Sequence, residues 1–286
     1  MMGVIFLMKT MRYSGFCATG REGIRMARIV AFSNQKGGVA KSTTVEAFAA
    51  ELTARGFRVL MVDMDAQPGN LSLHVGADKE RRGSGDMLLK AKPTEENVSD
   101  CIQDAGDFGD IVAADERLDT VDERLNSRVG RERILDRALA TIQDLYDFIL
   151  VDTPPSLQVR TLNALAAADD VIIPTRADLS SVAGVSSVLD VLDDIMTVTS
   201  HDIDLVGIAL ADWDPRLSLA KELGAVVERL AEDRGARVLG RPVRHATAAA
   251  QAQRYGEPLR VYAPSSTVHE DYRELVSAYL AEIGLQ

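Results

Sequence analysis

Short apolar runs alternate along this chain with longer stretches whose apolar residues recur at helical spacing. Residues 28–33 (R-I-V-A-F-S), 58–65 (R-V-L-M-V-D-M-D), 110–114, 146–151 (Y-D-F-I-L-V), 171–174 and 205–210 read as strands. They are nearly continuous in apolar residues, as strands covered on both faces are. Helical patterns fall at 45–54, 131–145, 182–196, 217–234 and 267–283, with shorter pieces at 85–89 and 95–103 inside a polar, turn-rich region from 76 to 109. Residues 237–239 read as a last short strand. Strands alternating with helices predict an α/β fold: a doubly wound, mainly parallel sheet with helices on both faces.

Residues 1–25 do not share this pattern. An apolar stretch at 4–8 precedes Lys9 and Arg12, the reverse of the order in a signal peptide. The expectation is an N-terminal extension, disordered or arising from a misassigned start, with translation beginning at Met26; a short functional arm is the alternative. Residues 26–286 then form one domain, since no linker or internal repeat divides them.

Composition narrows the class. At 286 residues, with 46% hydrophobic and 26% charged residues, the chain suits a globular protein. No apolar run approaches the roughly 18 residues of a membrane span. Cys17 and Cys101 are too few for a disulfide framework or a zinc knuckle, which points to a reducing, cytoplasmic setting. A formal net charge of −11 excludes a globally basic nucleic-acid binder, so any such role needs a local arginine patch.

The chemistry concentrates at residues 34–44, N-Q-K-G-G-V-A-K-S-T-T, between the first strand and the first helix. Strand, glycine loop and helix form the context of a phosphate-binding loop. Gly37 and Gly38 lack Cβ and let backbone N–H groups approach phosphate oxygens. The helix start adds its positive dipole end. Lys41 can reach the β- and γ-phosphates of ATP, and the Ser42 hydroxyl can ligate Mg2+. The loop departs from the strict pattern, with Ala40 where a glycine belongs. The plain alternative is a strand-to-helix turn with two solvated lysines.

Two carboxylate segments accompany the loop. Asp63 and Asp65 end the second apolar run, and Asp152 ends the run at 146–151. In open α/β sheets all three ends meet at one edge, where ligands bind. Asp152 fits the acid that orients Mg2+ through water, and Asp65 fits the residue that positions the attacking water.

K-G-G-V-A-K-S-T at 36–43, V-D-M-D-A-Q at 62–67 and I-L-V-D-T-P-P-S at 149–156 resemble the deviant Walker A ATPases of the ParA/MinD family, most closely its ParA (Soj-like) partition ATPases. A-D-W-D-P-R at 211–216, Y-G-E-P-L at 255–259 and Y-A-P-S-S at 262–266 resemble further family segments. The resemblance implies that Lys36 is a signature lysine reaching a partner subunit's ATP in a sandwich homodimer. It implies a nucleotide site of Lys36, Gly37, Gly38, Val39, Ala40, Lys41, Ser42 and Thr43, with Thr43 on the α-phosphate. It implies catalytic roles for Lys36, Lys41, Asp65 and Asp152, and a metal site drawing on Ser42, Asp63 and Asp152. Arg216, and Arg244 depending on where a gap falls, match arginines that bind non-specific DNA. A ParB-like adaptor that stimulates hydrolysis, and plasmid or chromosome partition, complete what it implies. A relative positioning a protein assembly is the alternative.

The departures are specific. Ala66 to Asn70 carries one residue more than the family's usual segment, and the Pro174 to Asp178 stretch and the 241–247 stretch depart from family patterns. The acidic C-terminal helix, with a single arginine in its last turns, argues against a basic membrane-targeting helix and hence against stable membrane association.

Overall fold

The computed structural model describes residues 26–199, 202–214 and 216–285. The expectations for residues 1–25 lie outside the described residues. One seven-stranded sheet runs in the order β3-β4-β2-β5-β1-β6-β7. Its strands are β1 (Arg28–Phe32), β2 (Val59–Asp63), β3 (Ile102–Asp104), β4 (Asp110–Val112), β5 (Phe148–Asp152), β6 (Asp170–Thr175) and β7 (Asp204–Leu210). All neighbours pair in parallel except β3 with β4.

The longer helices are α1 (Lys41–Ala54), α2 (Val159–Ala167), α3 (Leu179–Thr199), α4 (Ser218–Glu232), α5 (Thr247–Tyr255) and α6 (Thr267–Glu282). Two apolar clusters lie on opposite faces of the sheet. One joins Ile29, Leu60, Ile149 and Val171 to residues of α2 and α3; the other joins Val30, Met61, Leu150 and Ile172 to α1 and α6. Consecutive residues of each strand thus go to opposite cores, which is why these runs are apolar throughout.

The sequence patterns located six of the seven strands and four of the six longer helices to within a few residues, with informative differences. The 131–145 pattern is broken: a 3-10 turn, a short helix at Ile134–Leu139 and a second 3-10 turn share it. Buried Asn163 of α2 caps that helix by accepting from the Ile134 and Leu135 N–H groups, both at 2.9 Å. The expected 95–103 helix stops at Ser99 and gives way to β3, a three-residue polar edge strand too short to show a period. The expected strand at 237–239 is reduced to one bridge between Ile208 and Val238. Helices α2 and α5 had no counterpart in the sequence reading.

The register positions the site. Asp152 stands opposite Phe32 on one side and Asp63 on the other. The ends of β1, β2 and β5 therefore lie at one level. Buried Asn34, two residues beyond β1, donates to the carbonyls of Pro174 at 2.8 Å and Ser181 at 3.3 Å, and accepts from the Lys36 N–H at 3.0 Å. It ties the start of the glycine loop to β6 and α3. The approach is close because α3 carries Gly184 there: a Cβ would meet the Asn34 Oδ1 at 2.2 Å. Gly184→Ala is expected to destabilise the fold by about 1–3 kcal/mol, the range for overpacking a filled core, measured as a lowered urea midpoint.

Candidate functional site

The loop after β1 turns on two positive φ angles, +74° at Gly38 and +66° at Ala40. Gly38 takes this conformation freely. Ala40 takes it against its Cβ, at a cost of about 1–2 kcal/mol. Ala40 is also the N-cap of α1, which has no side-chain cap and no acidic residue in its first turn. The first N–H groups of α1 are thus left without a side-chain acceptor, at the positive end of the helix dipole. This is the electrostatic setting for a bound phosphate.

Lys41 is buried, and its Nζ donates to the Lys36 carbonyl at 3.2 Å. Burial pulls its pKa below the usual lysine value, against the attraction of Asp152 and Asp65. Ser42 Oγ donates to Asp152 Oδ2 at 2.5 Å. Burial, and then the neighbouring Asp63, push Asp152 well above the usual carboxylate range. Its other oxygen, Oδ1, is buried without a hydrogen-bond partner. A Mg2+ ion beside Ser42 would relieve that orphaned oxygen through a coordinated water, so the residues fit the metal. Among the described residues no cluster of three or more His, Cys, Asp or Glu is arranged to hold one. Ser42 and Asp152 would hold the ion there, with phosphate oxygens and water supplying the remaining ligands, as is common for Mg2+.

Asp63, expected as a metal residue, is used inside the protein instead. Its Oδ1 accepts from the Asp65 N–H at 3.0 Å; its Oδ2 accepts from the Ser72 N–H at 2.8 Å and the Ser72 hydroxyl at 2.5 Å. Burial raises its pKa to about 6, against these bonds. Asp63 holds the segment after β2, and Asp65 faces the cavity. The segment after Asp65 turns through Pro68 and Gly69, the latter at φ +80°. Asn70 closes the turn, donating to the Asp65 carbonyl at 2.6 Å.

These elements line a cavity of about 420 Å3, with Gly37, Gly38 and Ala40–Thr43 from the loop and the start of α1, and Asp65 and Gln67–Asn70 from the segment after β2. The third wall, absent from the sequence reading, comes from residues 243–246 and α5. Gln253 of α5 donates to Thr43 Oγ1 at 2.9 Å and to Glu46 Oε2 at 3.1 Å. Glu46 also pairs with His74 Nδ1 at 2.5 Å. Only the Ala-rich composition of 246–252, favourable for helix, could have signalled α5.

The remaining expected residues diverge. Lys36 is exposed, and no ion pair involves it among the described residues. Arg216 is 87% exposed and pairs with Asp214 at 2.7 Å. Arg244 pairs with fully buried Asp271 at 2.7 Å and leans on the Thr267 carbonyl at 3.4 Å. Both arginines border a second groove, together with Arg176, Asp178, Asp212 and Asp214. Its charge is mixed rather than basic.

The profile of a family described as an AAA domain matches residues 27–205. The chain is 32% identical over 268 residues to the sporulation initiation inhibitor protein Soj of Bacillus subtilis, covering 90% of this chain and 99% of that protein. It is 33% identical over 258 residues to the chromosome-partitioning ATPase Soj of Thermus thermophilus, covering 90% and 96%. This chain belongs to the ParA/MinD family of ATPases. Among solved structures, one described as cobyrinic acid a,c-diamide synthase from Mycobacterium smegmatis, with a bound ATP analogue and magnesium, superposes with a TM-score of 0.72. It is 32% identical, covering 89% of this chain and 94% of that one. As a ParA/MinD-family ATPase the protein hydrolyses ATP with Mg2+. No helix among the described residues is long and apolar enough to cross a membrane.

Two measurements probe this site. Ala40→Gly is expected to stabilise the fold by about 1 kcal/mol through relief of the left-handed alanine, read from chemical unfolding. Burial alone would lower the pKa of His74, but its bond to Glu46 and the attraction of that carboxylate raise it above the usual 6.5. A raised histidine pKa gives stability that is fully present below pH 6.5 and lost as pH rises through the folded-state value. The stability difference between wild type and His74→Gln is expected to be largest near pH 6 and to shrink as pH rises.

Proposed function

We propose that this ATPase is a ParA-like partition protein. Two subunits close on ATP, bind DNA non-specifically, move plasmid or chromosomal DNA, and are reset when a ParB-like adaptor stimulates hydrolysis. The observation that carries this reading is the pairing of two lysines around one loop. Lys41 is buried against the loop's own backbone, where it serves the nucleotide held by its own subunit. Lys36 is exposed, forms no ion pair among the described residues, and would reach a nucleotide held by a second subunit. Lys41, Ser42 and Asp152 would hold the phosphates and Mg2+, Thr43 the α-phosphate, and Asp65 the attacking water. Asp63 would set the position of Asp65.

DNA contact would fall to Arg216, which is 87% exposed and pairs with Asp214 among the described residues. Phosphate neutralisation needs no base contact, and a dimer doubles the patch. Such a dimer would sit on the nucleoid when ATP-bound and in the cytoplasm when released. The second reading, an ATPase that positions a protein assembly, is favoured by a specific observation. Arg244 is already committed to Asp271, and three aspartates share the groove with the arginines.

DNA binding should be measured with ATP, with ADP and without nucleotide over a range of salt. ATP-dependent binding that Lys36→Ala abolishes supports the partition reading. Arg216→Ala is expected to lower the slope of log K against log salt by roughly 1 per subunit. ATP-dependent dimerisation with no DNA binding at any salt would sink the partition reading in favour of protein positioning.

A further inference from the structure

We infer that Arg176 is a positioning residue of the nucleotide site, one that aims a backbone N–H of the phosphate loop. It follows β6 directly and lies outside every segment matched to a nucleotide role above. Its guanidinium Nη1 donates to the Gly38 carbonyl at 3.1 Å, and its Nη2 pairs with Asp212. The arginine approaches from the second groove and does not line the nucleotide cavity.

The consequence follows from the planarity of the peptide bond. The Gly38 carbonyl and the Val39 N–H belong to one trans peptide unit, so they point in opposite directions. Holding the carbonyl toward Arg176 turns the Val39 N–H away from it. Rotation of the unit changes ψ of Gly38 and φ of Val39. On the glycine side no Cβ resists it, and a Cβ there would face open space; the Arg176 bond holds the unit from that side. A loop that binds phosphate through N–H groups loses a donor whenever this unit turns over. Arg176 removes that freedom before the nucleotide arrives.

The arginine is itself anchored. Asp212 takes a left-handed backbone, φ +52°, between two strand-like pairings: Ala211 N–H donates to the Thr175 carbonyl at 2.9 Å, and Trp213 N–H to the Val243 carbonyl at 2.9 Å. Its carboxylate receives Arg176 on one oxygen and His245 on the other. Asp212 and His245 both line the nucleotide cavity. The chain Gly38, Arg176, Asp212, His245 thus joins the loop to the cavity-lining segment 243–246. Arginine suits this task because its planar fork serves two acceptors at once, which a lysine ammonium on its single stem does less well.

The proposal rests on the nucleotide-site reading, and wild-type binding of a fluorescent ADP analogue with Mg2+ tests that reading separately. Given such binding, Arg176→Ala is expected to weaken analogue affinity about tenfold, the scale of one hydrogen bond to a charged group, with an unchanged melting temperature for the nucleotide-free protein. Arg176→Gln, which keeps an N–H donor but not the Asp212 ion pair, should recover part of the loss. In steady state the alanine variant should raise KM for ATP more than it lowers kcat. Wild-type affinity in Arg176→Ala would overturn the proposal. So would an affinity loss matched by equal loss of melting temperature in Ala and Gln variants alike, since that pattern belongs to a residue that only stabilises the fold.

Discussion

The site depends on one rung of the sheet. Phe32, Asp152 and Asp63 stand side by side where β1, β5 and β2 end. Parallel hydrogen bonding allows no slip there, because moving any of these strands by one residue would exchange its two core faces. Thr153 Oγ1 donates to the Phe32 carbonyl at 2.9 Å, and the Met64 N–H donates to the Asp152 carbonyl at 2.9 Å, so the ladder continues past the strand ends. The phosphate loop, the Asp65 segment and the turn at 153–156 leave from this rung. Their relative positions follow from it.

Placing two carboxylates on that rung is costly, because buried charges must be paired or neutralised. The two acids meet the cost differently. Asp63 satisfies both oxygens within the chain and acts as a brace for the segment that carries Asp65. Asp152 satisfies one oxygen through Ser42 and leaves the other without a partner, in a position where an unmet acceptor costs about 1–3 kcal/mol. An acid held in that condition suits a site completed by a cation. The same division appears in the lysines, with Lys41 drawn into the loop and Lys36 left at its rim.

Elsewhere the acidic surplus of the chain determines what its arginines can do. Arg241 and Arg244 converge on buried Asp271, with Glu270 and Glu274 nearby. Arg28 is matched to buried Asp170, which Tyr279 of α6 also bonds, at 2.8 Å. Such pairs hold α6 and the 241–244 segment against the body and leave little free positive charge. Arg216 and Lys36 are the more open cations at the working edge, so any attraction for a polyanion must be local.

The sequence alone determined the class of fold and the place of the glycine loop between β1 and α1, and the physical reason is local. Apolar runs that need cover on both faces, a Gly-Gly pair before a lysine, and acids at strand ends carry their meaning within a few residues. Ala40 shows how far this reaches: the position demands a left-handed backbone even though the residue there is not glycine. What depends on strand order and on distant packing was decided only by the tertiary structure. Asp63 and Asp65 read alike in sequence, yet register makes one a brace and leaves the other facing the cavity. The same holds for Gln253 on Thr43, Arg176 on Gly38 and Asp271 on Arg244, because each joins residues at least 27 positions apart. No periodicity reports a contact at that separation; only the closed sheet and the helices laid across it bring such groups together.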